Sequence, residues 1–157
     1  MYSHVSLCRL KGCPLIVFGR SLGGAVSFYL ADKFPDLVQG IVVENTFLSI
    51  NKMVDIVMPI LKPLKFLMTI DWSSDRVIGN LLQPILFISG DSDNLVPPSH
   101  MKGLFELALK SIHREFYTVF GGNHNDSWEV GGEEYYRVSP SLPPSSSSSP
   151  PHTDLFD

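Results

Sequence analysis

The sequence predicts an α/β fold: a mostly parallel sheet of about four strands with helices on its faces. Three observations predict it. Short apolar runs alternate with segments of helical periodicity along the chain. The alternation opens with an apolar strand that passes through Gly-x-Ser-x-Gly straight into a small-residue helix start. And 157 residues with 44% hydrophobic content are enough for one domain with a real core. The net charge of −4, with no Lys/Arg cluster and no aromatic stacking motif, argues against a nucleic-acid partner.

Taken in order, residues 1–13 lack the apolar stretch of a secretory signal and form an atypical leading segment. Cys8 and Cys13 fit no metal or redox spacing, and the bland expectation is a reduced intracellular setting. Residues 15–18 are the first expected strand. Residues 24–33 carry small and apolar residues at helical spacing, with Pro35 marking the end. Residues 40–43 are a second apolar strand. The connection over residues 45–83 is too long for a simple crossover, and its apolar stretch 47–70 has the length of a membrane span. Lys52, Asp55, Lys62 and Lys65 interrupt that stretch and Pro59 and Pro63 break its middle, so it reads as two short amphipathic helices forming a cap. Residues 85–89 are a third strand. A helix over 100–111 follows Pro97-Pro98, with Met101, Leu104, Phe105 and Ala108 on one face. Residues 116–120 complete the strand set. From residue 139 the chain is Ser/Pro-rich, with a run of five serines, and no core can be built from it; the expectation is a disordered tail over 139–157.

The chemistry centres on Ser21. A tight strand-to-helix turn exposes a serine at the C-terminal end of a strand, and Gly19 and Gly23 are expected to leave room for that turn. The helix start beyond offers free N–H groups to a developing oxyanion, the N–H of Leu22 first among them. An ordinary glycine-rich turn would carry the same letters. What separates the two readings is company: a serine nucleophile needs a base, and the base needs an orienting carboxylate. The third strand ends in Gly90-Asp91-Ser92-Asp93, and the fourth in Gly121-Gly122-Asn123-His124. Three catalytic residue types at three strand ends, in the order Ser, Asp, His, point to nucleophilic catalysis. His124 alone among the histidines follows a buried strand within a Gly-Gly loop. His4 and His152 lie near the termini, His100 starts a helix and His113 sits in a polar turn. Spacing leaves Asp91 and Asp93 both open, and Asp126 reads as a loop or capping carboxylate. No H-x-x-x-H or Cys/His cluster suggests a metal site.

With these residues in view, the chain resembles the C-terminal half of the alpha/beta-hydrolase superfamily, and in particular serine hydrolases grouped with alpha/beta-hydrolase domain-containing protein 13. The resemblance rests on Phe18-Gly19-Arg20-Ser21-Leu22-Gly23-Gly24-Ala25-Val26, on Val43-Glu44-Asn45-Thr46-Phe47-Leu48-Ser49-Ile50, and on Pro84-Ile85-Leu86-Phe87-Ile88-Ser89-Gly90. It continues through Asp93-Asn94-Leu95-Val96-Pro97-Pro98-Ser99-His100-Met101 and Gly122-Asn123-His124-Asn125-Asp126-Ser127-Trp128. The family's Gly-x-x-Asp-x-x-Val-Pro pattern falls on Gly90, Asp93, Val96 and Pro97, which implies Asp93 as the acid of a Ser21–Asp93–His124 triad. It implies ester or thioester hydrolysis of small-molecule or lipid-like acyl substrates, and no cofactor. Residues 14–138 are then expected to be a partial hydrolase domain, with residues 45–83 as its cap and the strands that precede the motif strand missing.

Two functional expectations follow. In the first, Ser21 attacks an acyl carbonyl with His124 as base, Asp93 as orienter and Leu22 N–H at the oxyanion. Met53, Ile56, Val57, Ile60, Leu61, Phe66, Leu67 and Met68 of the cap would line an acyl pocket or simply pack on the sheet. In the second, a truncated form keeps the triad but lacks the second oxyanion donor, which costs roughly 10²–10³ in rate, and acts by binding. Its first strand is expected to be an exposed apolar edge. The expected setting is cytoplasmic or at a membrane surface, with no anchor in these residues, and oligomeric state is unmarked.

Overall fold

The computed structural model describes residues 14–50 and 72–138. Strand β1 is Leu15–Arg20, helix α1 Leu22–Lys33 and strand β2 Val38–Glu44. A short helix α2, Ser74–Val77, runs into a 3₁₀ turn at Ile78–Asn80 before strand β3, Ile85–Gly90. Helix α3, Pro98–Leu107, leads to strand β4, Arg114–Val119, and two short helices follow, α4 at Ser127–Val130 and α5 at Gly132–Val138.

All neighbouring strands are parallel, in the order β1-β2-β3-β4. A parallel sheet needs a helical crossover after each strand and cover on its faces, so its inner strands are apolar on both sides. β3 is buried at every position and β2 at nearly every one, whereas the outer strand β1 alternates. On one face Phe28 and Ala31 of α1 and Met101 and Leu104 of α3 pack against Ile41, Val43, Ile85 and Phe87. Residues one position along, Val42, Leu86 and Ile88, face the other way and meet Val119 and Tyr135 of α5. Each fully buried aliphatic or aromatic side chain here contributes roughly 1.5–3 kcal/mol relative to exposure. Phe105 stands edge-on to both Phe87 and Phe116 with ring centroids 5.5 Å apart.

The register sets the geometry of everything functional. Arg20 lies opposite Glu44, Glu44 opposite Ile88, and Gly90 opposite Val119. The C-terminal ends of all four strands therefore open at one rim of the sheet. Among the described residues β1 pairs with β2 alone, and Ile16 and Phe18 on it are 46% and 54% exposed.

Some expected boundaries move. β2 starts at Val38 and ends at Glu44, so two polar residues, Gln39 and Glu44, join a strand expected to be purely apolar. β4 begins at Arg114, because Arg114 and Glu115 pair with Ile85 and Leu86. It stops at Val119: the ladder with β3 ends there, Gly121 at φ 77° turns the chain, and Phe120 is 80% exposed rather than buried. Helix α3 starts at Pro98, in the first-turn position where a missing N–H costs nothing, and ends at Leu107. His100 consequently sits inside α3, buried, with Nδ1 accepting from the N–H of Leu48.

Several expectations fall outside the described residues: the leading segment with His4, Cys8 and Cys13, the apolar pocket residues Met53 to Met68, and the tail with His152. The two ends of the 45–83 connection are described. Ser49 and Ser73 form an antiparallel bridge, and Ile50 donates to the carbonyl of Trp72 at 3.3 Å. Among the described residues no helix is long and apolar enough to cross a membrane.

Candidate active site

The turn after β1 holds Ser21 at φ 53° and ψ −122°, a conformation that costs a non-glycine residue roughly 1–3 kcal/mol. Three hydrogen bonds hold it there. Ser21 N–H donates to the carbonyl of Glu44 at 2.9 Å, and the Ser21 carbonyl accepts from Gly24 N–H at 3.0 Å and from Thr46 Oγ1 at 2.6 Å. Although Ser21 is the residue before α1, its hydroxyl does not cap the helix. Leu22 is the first helical residue, and an N–H at that position has no acceptor within the helix.

The glycines around the turn divide differently from expectation. A Cβ on Gly19 would run into the Gly23 carbonyl and Ser27 Oγ, so the close approach of α1 to β1 requires a glycine there. Among the described residues, a Cβ on Gly23 would meet nothing within 4 Å. The second steric requirement falls instead on Gly24, whose Cβ would lie 2.5 Å from the Thr46 side chain.

Beyond β3, Asp93 is buried and uses both carboxylate oxygens. Oδ1 accepts from the N–H groups of Leu95 and Val96, each at 2.8 Å, and Oδ2 lies 2.8 Å from His124 Nδ1. The two side chains are 1% and 10% exposed. Asp91 is exposed and turned elsewhere, accepting from Gly121 N–H at 2.7 Å. The geometry therefore separates two carboxylates that spacing leaves equivalent. Asp126 closes the histidine loop: its Oδ1 accepts from Asn123 N–H at 2.5 Å, and its main chain precedes α4. His113 lies apart before β4, 3.9 Å from Glu115.

Three consecutive residues at the end of β2 tie these parts together, and sequence reasoning did not assign them a role. Glu44 holds Ser21 through its carbonyl, and Thr46 holds it through its hydroxyl. Between them Asn45, at φ 46°, reaches the histidine loop: its Nδ2 donates to Ser127 Oγ at 3.0 Å, Asn123 O at 3.2 Å and His124 O at 3.4 Å. Its Oδ1 accepts from Gly90 N–H at 2.8 Å, and its N–H donates to Ile88 O at 3.1 Å. A buried polar triplet directly after an apolar strand was the available signal, since buried polar groups persist only where they are paired.

Glu44 itself is 1% exposed. Its Oε2 accepts from Tyr135 Oη at 2.7 Å, and among the described residues its Oε1 has no hydrogen-bond partner. Burial pushes this carboxyl above the ordinary range, opposed by the Tyr135 hydrogen bond and by the positive charge of Arg20. Burial and the neighbouring Glu44 push the Tyr135 phenol up as well. Among the described residues no group of three or more His, Cys, Asp or Glu side chains is placed to hold a metal ion.

No protein-family model matches the chain. Similar proteins are found among curated sequences. The Saccharomyces cerevisiae uncharacterized membrane protein YNL320W is 42% identical over 115 residues, covering 72% of this chain and 40% of that protein. The Arabidopsis thaliana alpha/beta hydrolase domain-containing protein WAV2 is 38% identical over 138 residues, covering 80% and 45%. The chain thus spans less than half the length of these relatives. Among solved structures, the Pyrococcus furiosus esterase Pf2001 has a TM-score of 0.70 at 18% identity, covering 85% of this chain and 56% of that one. A Paleococcus ferrophilus monoacylglycerol lipase has a TM-score of 0.61 at 18% identity, covering 85% and 69%.

Proposed function

Because the chain belongs to the alpha/beta-hydrolase superfamily, we propose that it carries the acyl-transfer site of a serine hydrolase, with Ser21 as nucleophile, His124 as base and Asp93 as orienter. The observation that carries this reading is the buried 2.8 Å contact between His124 Nδ1 and Asp93 Oδ2. Asp93 is itself immobilised by two backbone N–H groups, so it holds the imidazole in one orientation and leaves Nε2 for proton transfer.

In the proposed reaction Ser21 Oγ bonds to the acyl carbon while its proton passes to His124 Nε2. The carbonyl oxygen becomes an oxyanion beside the N–H of Leu22. As the bond to the alcohol or thiol breaks, the imidazolium returns the proton to that leaving group. Water then attacks the acyl-enzyme with His124 again as base, releasing the acid and restoring Ser21. No cofactor is needed for these steps.

The substrate class proposed is an ester or thioester with a lipid-like acyl group, which a membrane surface would present. The esterase and lipase names of the structural neighbours support it by analogy of fold.

The test is covalent labelling of the purified chain by a fluorophosphonate, beside Ser21→Ala. Labelling of the parent and none of the variant is the expected result. Folded parent protein that stays unlabelled overturns the hydrolase reading and favours the second one, a binding protein that keeps the triad residues without turnover.

A further inference from the structure

The three residues of the proposed triad sit on two hydrogen-bonded units, not three. The loops after β3 and β4 are laced together. Asp91 N–H donates to Val119 O at 3.2 Å, and Ser92 N–H to Gly122 O at 3.0 Å. Gly121 N–H donates to Asp91 Oδ1 at 2.7 Å, Asn94 Nδ2 to Asn123 Oδ1 at 3.3 Å, and Asp93 holds His124. A Cβ on Gly90 would run into the Gly122 carbonyl, so the two loops also meet backbone to backbone. The turn that carries Ser21, residues 19–24, belongs to the other unit. Among the described residues no hydrogen bond runs directly from it to residues 90–96 or 120–127. Its partners after β2 are Glu44 O and Thr46 Oγ1.

We propose that Asn45 is the positioning residue that sets His124 against Ser21, acting on that relation and not on the His124–Asp93 pair. The proposal rests on the reading of Ser21 as nucleophile and His124 as base, and adds what holds one against the other.

Asn45 stands between the two residues that restrain Ser21, and it is 1% exposed. Its Nδ2 shares two hydrogens among Ser127 Oγ, Asn123 O and His124 O, while its Oδ1 takes Gly90 N–H at the end of β3. One planar amide thus grips both loops of the second unit. Ser127, fully buried, extends the grip: its Oγ accepts from Asn45 at 3.0 Å and donates to Asn123 O at 2.8 Å. A buried network whose members are all paired holds a single geometry. The apolar contact of Ala25 with Phe47 and Val96 also draws the units together, but such contact has no direction.

Asn45→Gly removes the amide and keeps a residue that accepts φ 46°. Its rate of fluorophosphonate labelling should fall about 10–10²-fold, the scale of a misplacement of about 1 Å between reacting groups. The proton between His124 Nδ1 and Asp93 Oδ2, followed by NMR at one fixed pH, should keep its resonance. Ser127→Ala should act in the same direction by less, and the two effects should not add in the double variant. Loss of the Nδ1 resonance along with labelling would make Asn45 a general support of the loops and overturn the positioning role. Folded Asn45→Gly that labels at the parent rate overturns it too, and leaves the hydrolase reading standing.

A second readout needs no turnover: the change that Ser21→Ala makes in the His124 ring resonances. It should be present in the parent background and diminished in Asn45→Gly. If it behaves so while no form labels, the positioning role stands and the hydrolase reading falls. A change equal in both backgrounds, or absent from both, overturns the role of Asn45. Should Asn45→Gly not fold, the same comparison in Ser127→Ala decides.

Discussion

Replacing Asn45 by aspartate exchanges one atom in the centre of the rim and isolates what that residue does. Aspartate keeps the acceptor for Gly90 N–H at 2.8 Å but turns the donor Nδ2 into an oxygen. That oxygen would face Asn123 O, His124 O and Ser127 Oγ, which now receive an N–H at 3.0–3.4 Å. Two of these are carbonyls that cannot donate. The loss of a buried donor costs about 1–3 kcal/mol, and an ionised carboxylate at a site that is 1% exposed adds to it. About 2–4 kcal/mol is the expected total near neutral pH, with the left-handed backbone still tolerated because aspartate, like asparagine, accepts it. The sign with pH is distinct. Burial would raise the folded-state pKa of the new carboxyl above its unfolded value of about 3.9. Its protonated form can donate again, so the penalty is smallest near pH 4 and grows as pH rises towards the folded-state value. Urea denaturation at pH 4.5 and 7.5, with the slope unchanged, reads the difference directly. An Asn45→Asp variant as stable as the parent at pH 7.5 would refute the claim that Nδ2 holds the histidine loop.

Asp93→Asn should lower labelling or hydrolysis by about 10⁴, because the imidazole loses its orienting carboxylate, while Asp91→Asn changes it little; the reverse pattern of rates would exchange their roles. Gly19→Ala should destabilise by 3 kcal/mol or about that, since the added methyl meets the backbone of Gly23. Gly23→Ala, whose new Cβ would meet nothing within 4 Å among the described residues, should be neutral or more stable by about 0.5–1 kcal/mol in thermal melts. Because burial raises the folded-state pKa of Glu44, its contribution to stability is fully present below about pH 4.5 and is lost as pH rises through the folded value. Glu44→Gln should therefore gain on the parent with rising pH in chemical denaturation, and parallel stability curves would show that the carboxyl does not titrate in the fold.

The sheet was legible because each strand carries a short, largely apolar run bounded by glycine, proline or asparagine, a pattern that survives any details of packing. Strand ends were less so. Arg114 and Glu115 enter β4 only because β3 offers them partners, a fact of register that local composition does not carry. At the site, Ser21 and His124 were marked by glycine-rich turns after strands, while Asp91 and Asp93 looked alike until burial and hydrogen bonds separated them. Asn45 escaped notice as a site residue for a physical reason. The partners of its Nδ2 lie 78 to 82 residues away in the chain and that of its Oδ1 lies 45 away, and one side chain between distant loops leaves no periodic trace.

The strand order β1-β2-β3-β4 repeats the order of synthesis. Each strand leaving the ribosome finds its neighbour already made, so the sheet can be laid down one ribbon at a time without waiting for distant sequence. The chemistry cannot be laid down that way. Ser21 precedes Glu44 and Thr46 in the chain and acquires its restraints only when they arrive, and the histidine loop that Asn45 grips comes some eighty residues later. The nascent chain is thus a scaffold first, and the restraints on the Ser21 turn and on the histidine loop follow once β2 and the loop after β4 are in place.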